Sequence, residues 1–422
     1  MRRAYCALSA TAIAALAASV IPAASASSDD EGDGSTGHHI GHVWTIVLEN
    51  SEFEQTFVAD RNSAPYLTQT LPSLGKLVVQ YYGTGHSSAD NYVAIASGQG
   101  PNASTQGDCD DPTTLGGPNS QWHFDADGQA VDDSGAATIG CTYPYAVKSL
   151  SDQLDSVHVS WRAYMENMDA QPGKRATCSN PYASGPATPI RHEDNPDYKD
   201  KHNPWAYFHS TFDRVDYCEA HVVPLGYFDA NGQLVGQLVN DLHSVKTTPR
   251  YSFLTPDQCH DGHDACASNG NSQLGGADQF LKAAVPDIMN SPAYKKDGLI
   301  VIVFDEGSSD TFCCSEKKAP NLSSSQNNGF PIPGPVGDGG GMTGALLISP
   351  FVTANSIDAV NQFNHYSYLR SMEDLFGVRR GGLDGHGHLA YAGEPGLVTF
   401  QDAGDLPAGS VSGDGGGGGD DR

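Results

Sequence analysis

The feature that most constrains this chain is a set of short apolar runs that end on acidic or amide residues. Val43–Leu48 runs straight into Glu49 and Asn50, and Leu299–Phe304 runs straight into Asp305 and Glu306. Tyr251–Leu254 leads through Thr255-Pro256-Asp257 to Asp261-Gly262-His263-Asp264. Val157–Tyr164 and Ala345–Ile348 are two further candidates. Short apolar runs of this kind read as buried strands. Helical patterns lie between them, over Tyr66–Leu77, Tyr145–Leu154, Gly276–Met289 and Tyr366–Phe376, the last closed by Gly377. Strands alternating with helices predict an α/β fold with a central, mainly parallel sheet flanked by helices. In such sheets a ligand sits beyond the carboxyl ends of the strands. These strand ends would bring oxygen donors and a histidine to one edge, a mixture that suits a divalent metal.

The ends of the chain read differently. Met1-Arg2-Arg3 precedes an alanine-rich apolar run to Ala23, and Ala24-Ser25-Ala26 offers small residues for cleavage. Residues 1–26 are expected to be a secretory signal peptide, so the mature protein is expected outside the cell. Residues 27–40 and the tail 401–422 are Gly- and Asp-rich, without apolar periodicity, and are expected to be disordered. The stretch 41–400 reads as one domain. Segments 100–145 and 170–225, rich in Gly, Pro, Asp and Cys, read as disulfide-pinned insertions.

Charge narrows the partners. The formal net charge is −27, and loss of the first 26 residues removes Arg2 and Arg3 and no acid, giving −29. A field of that sign repels nucleic acid and anionic membrane surfaces. After Cys6 is lost, eight cysteines remain, an even count that suits disulfides in an exported protein. Local pairs are expected: Cys109 with Cys141, Cys178 with Cys218, Cys259 with Cys266. No later run is long enough to span a bilayer, and nothing in the sequence calls for an obligate protein partner.

A second motif carries a nucleophile. Thr84-Gly85-His86-Ser87-Ser88-Ala89-Asp90-Asn91-Tyr92 passes into a helical apolar stretch, which puts Ser88 at or near a helix N-terminus. Free N–H groups and the helix dipole there favour an anion, whether an alkoxide or a phosphate.

At these residues the chain resembles the bacterial and fungal phosphoesterase family of acid phosphatases and phospholipases C, within the alkaline phosphatase-like superfamily. The matching pieces are Ile46–Asn50, His86–Tyr92, Thr255-Pro256, Asp261–Asp264, Val303–Gly307, Leu346–Pro350 and His365–Ser367, in the family's order. The resemblance implies an alkaline phosphatase-like sandwich and a divalent metal ion, one or two, held by Glu49, Asn50, Asp305 and Glu306. It implies Ser88 as nucleophile and Asn91 as a hydrogen-bond partner of a phosphate oxygen. Asp261, His263 and His365 would line the same pocket, holding a second metal, donating a proton or binding phosphate. His86 is a further substrate-binding or proton-donating candidate. Glu49-Asn50 continues here as Ser51-Glu52-Phe53-Glu54, where phospholipase-like relatives have Arg-Ser-Phe-Asp, which favours the acid phosphatase branch. The expected activity is therefore hydrolysis of phosphate monoesters through a phosphoserine. Phospholipids or other diesters on the same site are the first alternative, and a non-catalytic, metal-stabilised secreted binding protein is the second.

Overall fold

The computed structural model describes residues 39–102, 104–109, 123–131, 142–168, 197–266, 273–309, 339–404 and 406. The expected signal peptide, residues 27–38 of the expected leader and most of the tail lie outside these residues. So do Cys6, Cys141, Cys178, Cys313 and Cys314, and much of both expected insertions. Where disorder is expected, Ile40 is buried and Phe400–Ala403 forms a 3-10 turn capped by Thr399 and Asp402. All described residues belong to the compact unit Gly37–Arg422.

Its frame is one eight-stranded sheet. The strands are β1 (His42–Leu48), β2 (Lys76–Val78), β3 (Trp161–Met165), β4 (Val222–Pro224), β5 (Tyr251–Thr255), β6 (Gly298–Phe304), β7 (Ala345–Ile348) and β8 (Ser356–Asp358). Their spatial order is β8-β2-β7-β6-β1-β5-β3-β4. Only β7 runs antiparallel to its neighbours; every other pairing is parallel. The five strands expected from apolar runs are all present. Three short strands, the two edges β8 and β4 and the penultimate β2, go beyond those five.

Alternation along β1 and β6 builds two cores. Val43, Val47, Leu299, Val301 and Val303 face one side, while Trp44, Ile46, Leu48, Ile300, Ile302 and Phe304 face the other. Both faces are buried, as period-two side-chain direction and a fully covered parallel sheet require. Helices cover both: α1 (Ser88–Ser97) and α4 (His365–Leu375) on the first face, α3 (Leu274–Asn290) on the second, with α2 (Leu150–Ser156) beside the first core.

Two helical expectations shift. Tyr66–Leu77 is not one helix: a π-helical turn over Tyr66–Thr70 and a short turn over Leu71–Leu74 give way at Gly75 to β2. In the Tyr145–Leu154 window the helix starts only at Leu150. Ser149 caps it in a reciprocal box with Asp152. Cys259 and Cys266 form the expected disulfide. Cys109 and Cys218 are disulfide-bonded too, and their expected partners lie outside the described residues. Among the described residues no helix is long and apolar enough to cross a membrane.

Candidate active site

Strand register assembles the acidic centre. β1 and β6 pair in parallel from His42 opposite Gly298 to Leu48 opposite Phe304. The next residues on each strand, Glu49 and Asp305, are therefore neighbours. Asn50 follows with a left-handed φ of 25°, a conformation asparagine tolerates. Its N–H donates to Asp305 Oδ1 at 2.9 Å and its Nδ2 to Glu306 Oε1 at 2.9 Å. Asp261 joins through its carbonyl, which accepts the Glu49 N–H at 2.8 Å.

Burial is severe here: Glu49 is 2% exposed and Asp305 and Asp261 are wholly buried. Burial, then the Asp305 and Asp261 charges, push the Glu49 carboxyl well up. Burial raises Asp305 as well and takes Asp261 to about 8. Burial, followed by Asp305 and Asp90, raises Glu306.

Ser88 is the first residue of α1, and its Oγ donates to Glu49 Oε2 at 3.1 Å. Tyr92, one turn on, donates to Glu49 Oε1 at 2.6 Å. Ser87 points elsewhere, its Oγ donating to the Gln106 carbonyl at 2.9 Å. The capping role falls to Asp108, whose Oδ1 accepts the Ala89 N–H at 3.1 Å.

Asn91 holds the loop rather than facing the cavity. Its Oδ1 accepts from the N–H groups of Thr84 and Gly85, and its Nδ2 donates to the carbonyls of Gly85 and Ser87 and to Glu306 Oε2. A primary amide has two N–H donors, and these contacts occupy them. His365 is likewise committed inside the fold. Its Nε2 bonds the Asp305 carbonyl at 2.6 Å, its Nδ1 meets Tyr81 Oη at 2.9 Å, and burial lowers its pKa to about 4. Neither lines the cavity described next.

That cavity, about 500 Å³, is lined by Glu49, Asn50, Ser88, His86, His263 and Glu306, among others. His86 Nδ1 lies 3.6 Å from Glu306 Oε2. His263 is raised through its hydrogen bond to Asp264. Two further lining residues, Lys201 and His202, escaped the sequence reading. Lys201 Nζ binds Asp108 Oδ2 at 2.7 Å. Burial works against its charge, but Asp108, Glu49 and Asp305 more than offset that and raise its pKa. His202 stacks on Tyr92 with its Nε2 3.3 Å from Glu49 Oε2. Burial, then Lys201, keeps it neutral. The signal available was the polar run Lys201-His202-Asn203 ahead of Pro204, set inside a segment read as an insertion.

Whether a metal fits can be tested on the oxygens. Asn50 Oδ1, Asp305 Oδ2 and Asp261 Oδ2 are buried with no hydrogen-bond partner. Buried acceptors without donors are costly, and acceptors facing acceptors need a proton or a cation between them. The donor set therefore fits a hard cation, although the acids and histidines of the predicted set do not bring three ligand atoms within 4.8 Å of one another. Among the described residues two other trios do. In one, Asp197 sits with Cys259 and Cys266, whose sulfurs are joined in a disulfide and are not thiolate ligands. The other is Glu166, Asp257 and His260 beyond β3 and β5. There His260 Nδ1 lies 2.8 Å from Glu166 Oε1 and 3.1 Å from Asp257 Oδ1. Glu166 Oε2 accepts the Asp257 N–H at 3.0 Å, and Asp257 also accepts from Cys259 N and Asn167 Nδ2. Burial opposes charge on His260, but Asp257 and Glu166 take it to about 10.

A buried serine on a helix N-terminus, facing carboxylates at the ends of parallel strands, now has its class: the chain belongs to the phosphoesterase family, whose model matches residues 59–379. The match starts beyond Glu49 and Asn50 and contains Ser88, Asp261, Asp305 and Glu306. Among particular relatives, it is 26% identical over 270 residues to the phosphate-repressible acid phosphatase of Penicillium chrysogenum, covering 63% of this chain and 48% of that one. It is 23% identical over 263 residues to a probable acid phosphatase of Kluyveromyces lactis, covering 62% and 46%. The chain thus spans about half the length of the curated relatives it matches. A crystal structure of an alkaline phosphatase superfamily protein from Vibrio parahaemolyticus aligns at a TM-score of 0.43 and 13% identity, covering 81% of this chain and 67% of that one.

Proposed function

We propose that this protein is an exported, metal-dependent phosphatase that hydrolyses small phosphate monoesters through a phosphoserine at Ser88. The observation that carries the reading is the Ser88 Oγ–Glu49 Oε2 contact at the helix N-terminus, beside buried oxygens that lack donors. Disulfides at Cys109, Cys218, Cys259 and Cys266 support an oxidising compartment. None of the side chains lining the cavity is aliphatic, which favours a small polar ester over a phospholipid.

Glu49 Oε2 orients Ser88 Oγ and draws on its proton. Oγ attacks phosphorus in line, the bond from phosphorus to the ester oxygen breaks, and the phosphoryl group passes to serine. His263 stands at the cavity wall and is suited to protonate the departing oxygen; His86 is the alternative donor. Water then attacks the phosphoserine, releasing phosphate and restoring the hydroxyl. Lys201 and the first N–H groups of α1 offer positive potential to the phosphate oxygens. Asn91 and His365 act as positioning residues, fixing the 84–87 loop and the Asp305 backbone. A phosphate dianion cannot enter a cluster of four carboxyls unaided. A divalent cation held by Glu49, Asn50, Asp305 and Glu306, with Asp261 behind them, would neutralise that charge and polarise the phosphate.

The test is turnover of p-nitrophenyl phosphate, bis-p-nitrophenyl phosphate and phosphatidylcholine, with and without EDTA, for wild type and Ser88→Ala. Monoester turnover should dominate, stop with EDTA and fall by several powers of ten in Ser88→Ala. Acid-quenched wild type should carry the phosphoryl group on Ser88. Wild-type rates from Ser88→Ala, or a label on Ser87, would sink the mechanism.

A further inference from the structure

A second cavity, about 380 Å³, opens beside the first and shares Asn50, His263 and Ser308 with it. Its size falls within the roughly 300–1,000 Å³ of small-molecule sites. Three elements wall it: the turn after β1 with Ser51, Gln55, Asp60 and Ser63, the Gly262–His263 turn, and the start of α3 with Gln273, Leu274 and Gly275.

Its chemistry is unusual for a ligand site. Such sites are mostly apolar with a few placed polar groups, yet Leu274 is the one aliphatic side chain among these residues. Hydroxyls and amides dominate. Ser63 and Gln273 are exposed, so their polar groups are available to a ligand, while the Ser308 hydroxyl donates to the Asn50 carbonyl. Asp60 supplies the single full carboxylate, held by Gln55 Nε2 at 2.5 Å. Gln273 adopts a left-handed φ of 69°, a conformation rare for a residue with a side chain. The cavity cannot solvate an acyl chain, and Asp60 disfavours a second anionic group. It offers many hydrogen bonds to a neutral, hydroxyl-rich body.

We infer that this cavity is the leaving-group subsite and that it selects phosphate monoesters of sugars or polyols. The assignment rests on the phosphatase reading above. The phosphoryl group would sit by Ser88, and the alcohol would extend past Asn50 and His263, which line both cavities. His263 would then stand at the ester oxygen, between the two halves of the substrate.

The experiment compares kcat/KM for glucose 6-phosphate, glycerol 2-phosphate and p-nitrophenyl phosphate in wild type, Ser63→Trp and Gln273→Gly. Ser63 is exposed on a turn, so tryptophan there fills the cavity rather than the core. The ratio of glucose 6-phosphate to p-nitrophenyl phosphate should fall about tenfold in Ser63→Trp. It should fall about threefold in Gln273→Gly, which loses the amide but relieves the backbone. Glycerol 2-phosphate, being smaller, should suffer less than glucose 6-phosphate in Ser63→Trp. Wild type active on all three esters, with ratios unchanged in both variants, overturns the subsite and leaves the phosphatase reading standing. Wild type inactive on every monoester overturns both.

Discussion

Two carboxylate–histidine clusters stand at the same edge of the sheet, and they are built from nearly the same residue types. Around Glu166, Asp257 and His260 each carboxylate meets a donor: a cationic imidazole, backbone N–H groups or the Asn167 amide. Around Glu49, Asp305 and Asp261, burial and the charges of the two aspartates push Glu49 up, and Asp305 Oδ2 and Asp261 Oδ2 have no donor at all. The first cluster is closed by its own hydrogen bonds and gains little from a ligand, even though its atoms come close enough together to hold one. The second leaves buried oxygens without donors, and on the function proposed above a cation completes it. Residue type and proximity do not separate a structural cluster from a reactive one; the balance of donors and acceptors does.

The largest expected effect tests that contrast directly. Asp305→Asn should lower monoester turnover at least a hundredfold, about 2.7 kcal/mol of barrier. Bound divalent metal, measured by elemental analysis after dialysis, should fall with it. Asp257→Asn should leave the metal content at the wild-type level. If Asp257→Asn strips the metal and Asp305→Asn keeps it, the two clusters have been assigned the wrong way round.

A smaller effect sharpens the other half. Glu166→Gln should cost stability, because it leaves the His260 cation without its nearer partner; breaking a buried pair costs about 3–5 kcal/mol. Urea unfolding measures this. Turnover of the folded variant should stay within about threefold of wild type, and a larger loss would place Glu166 in the chemistry.

Glu373 is an intermediate case: its Oε1 accepts the Leu389 N–H at 2.8 Å, and its Oε2 has no donor. Burial raises its pKa to about 8. The folded protein therefore holds a proton that the unfolded chain, near pKa 4.3, releases. Stability from this group is full below about pH 4 and drains away as the pH rises toward 8. Glu373→Gln imitates the protonated acid. It should match wild type near pH 4 and exceed it at pH 8 by on the order of 4–5 kcal/mol, read as a divergence of Tm with pH. Parallel Tm curves across that range would show that Glu373 is ionised in the fold.

The sequence made the centre of this molecule legible because strands advertise themselves. β1, β5, β6 and β7 are largely apolar runs, and the acids that follow β1, β5 and β6 can only project from the sheet edge. The short edge strands carry too few residues to show a period. The 66–77 window has helical spacing, but the helix ends at Leu74, and Gly75 is extended and packs so closely on the Leu347 carbonyl that a Cβ there would collide with it. Lys201 and His202 were illegible for another reason: they reach the site from a three-residue 3-10 turn, Asp200–His202, through long-range contacts, which leave no periodic trace. Asn91 carries a motif signal, yet its amide turns inward onto the 84–87 loop and Glu306.

The register of β1 on β6 also has a consequence in time. Asn50 and its partner Asp305 are 255 residues apart in the chain. At a synthesis rate of about 5–20 residues per second, the second appears roughly 13–50 seconds after the first. For that interval the newly made β1 has an apolar edge with no neighbour on the β6 side, and Glu49 lacks the Asp305 carboxylate beside it. The chain must stay unaggregated through that wait, and whatever binds at the strand ends can help only after the last partner has been made.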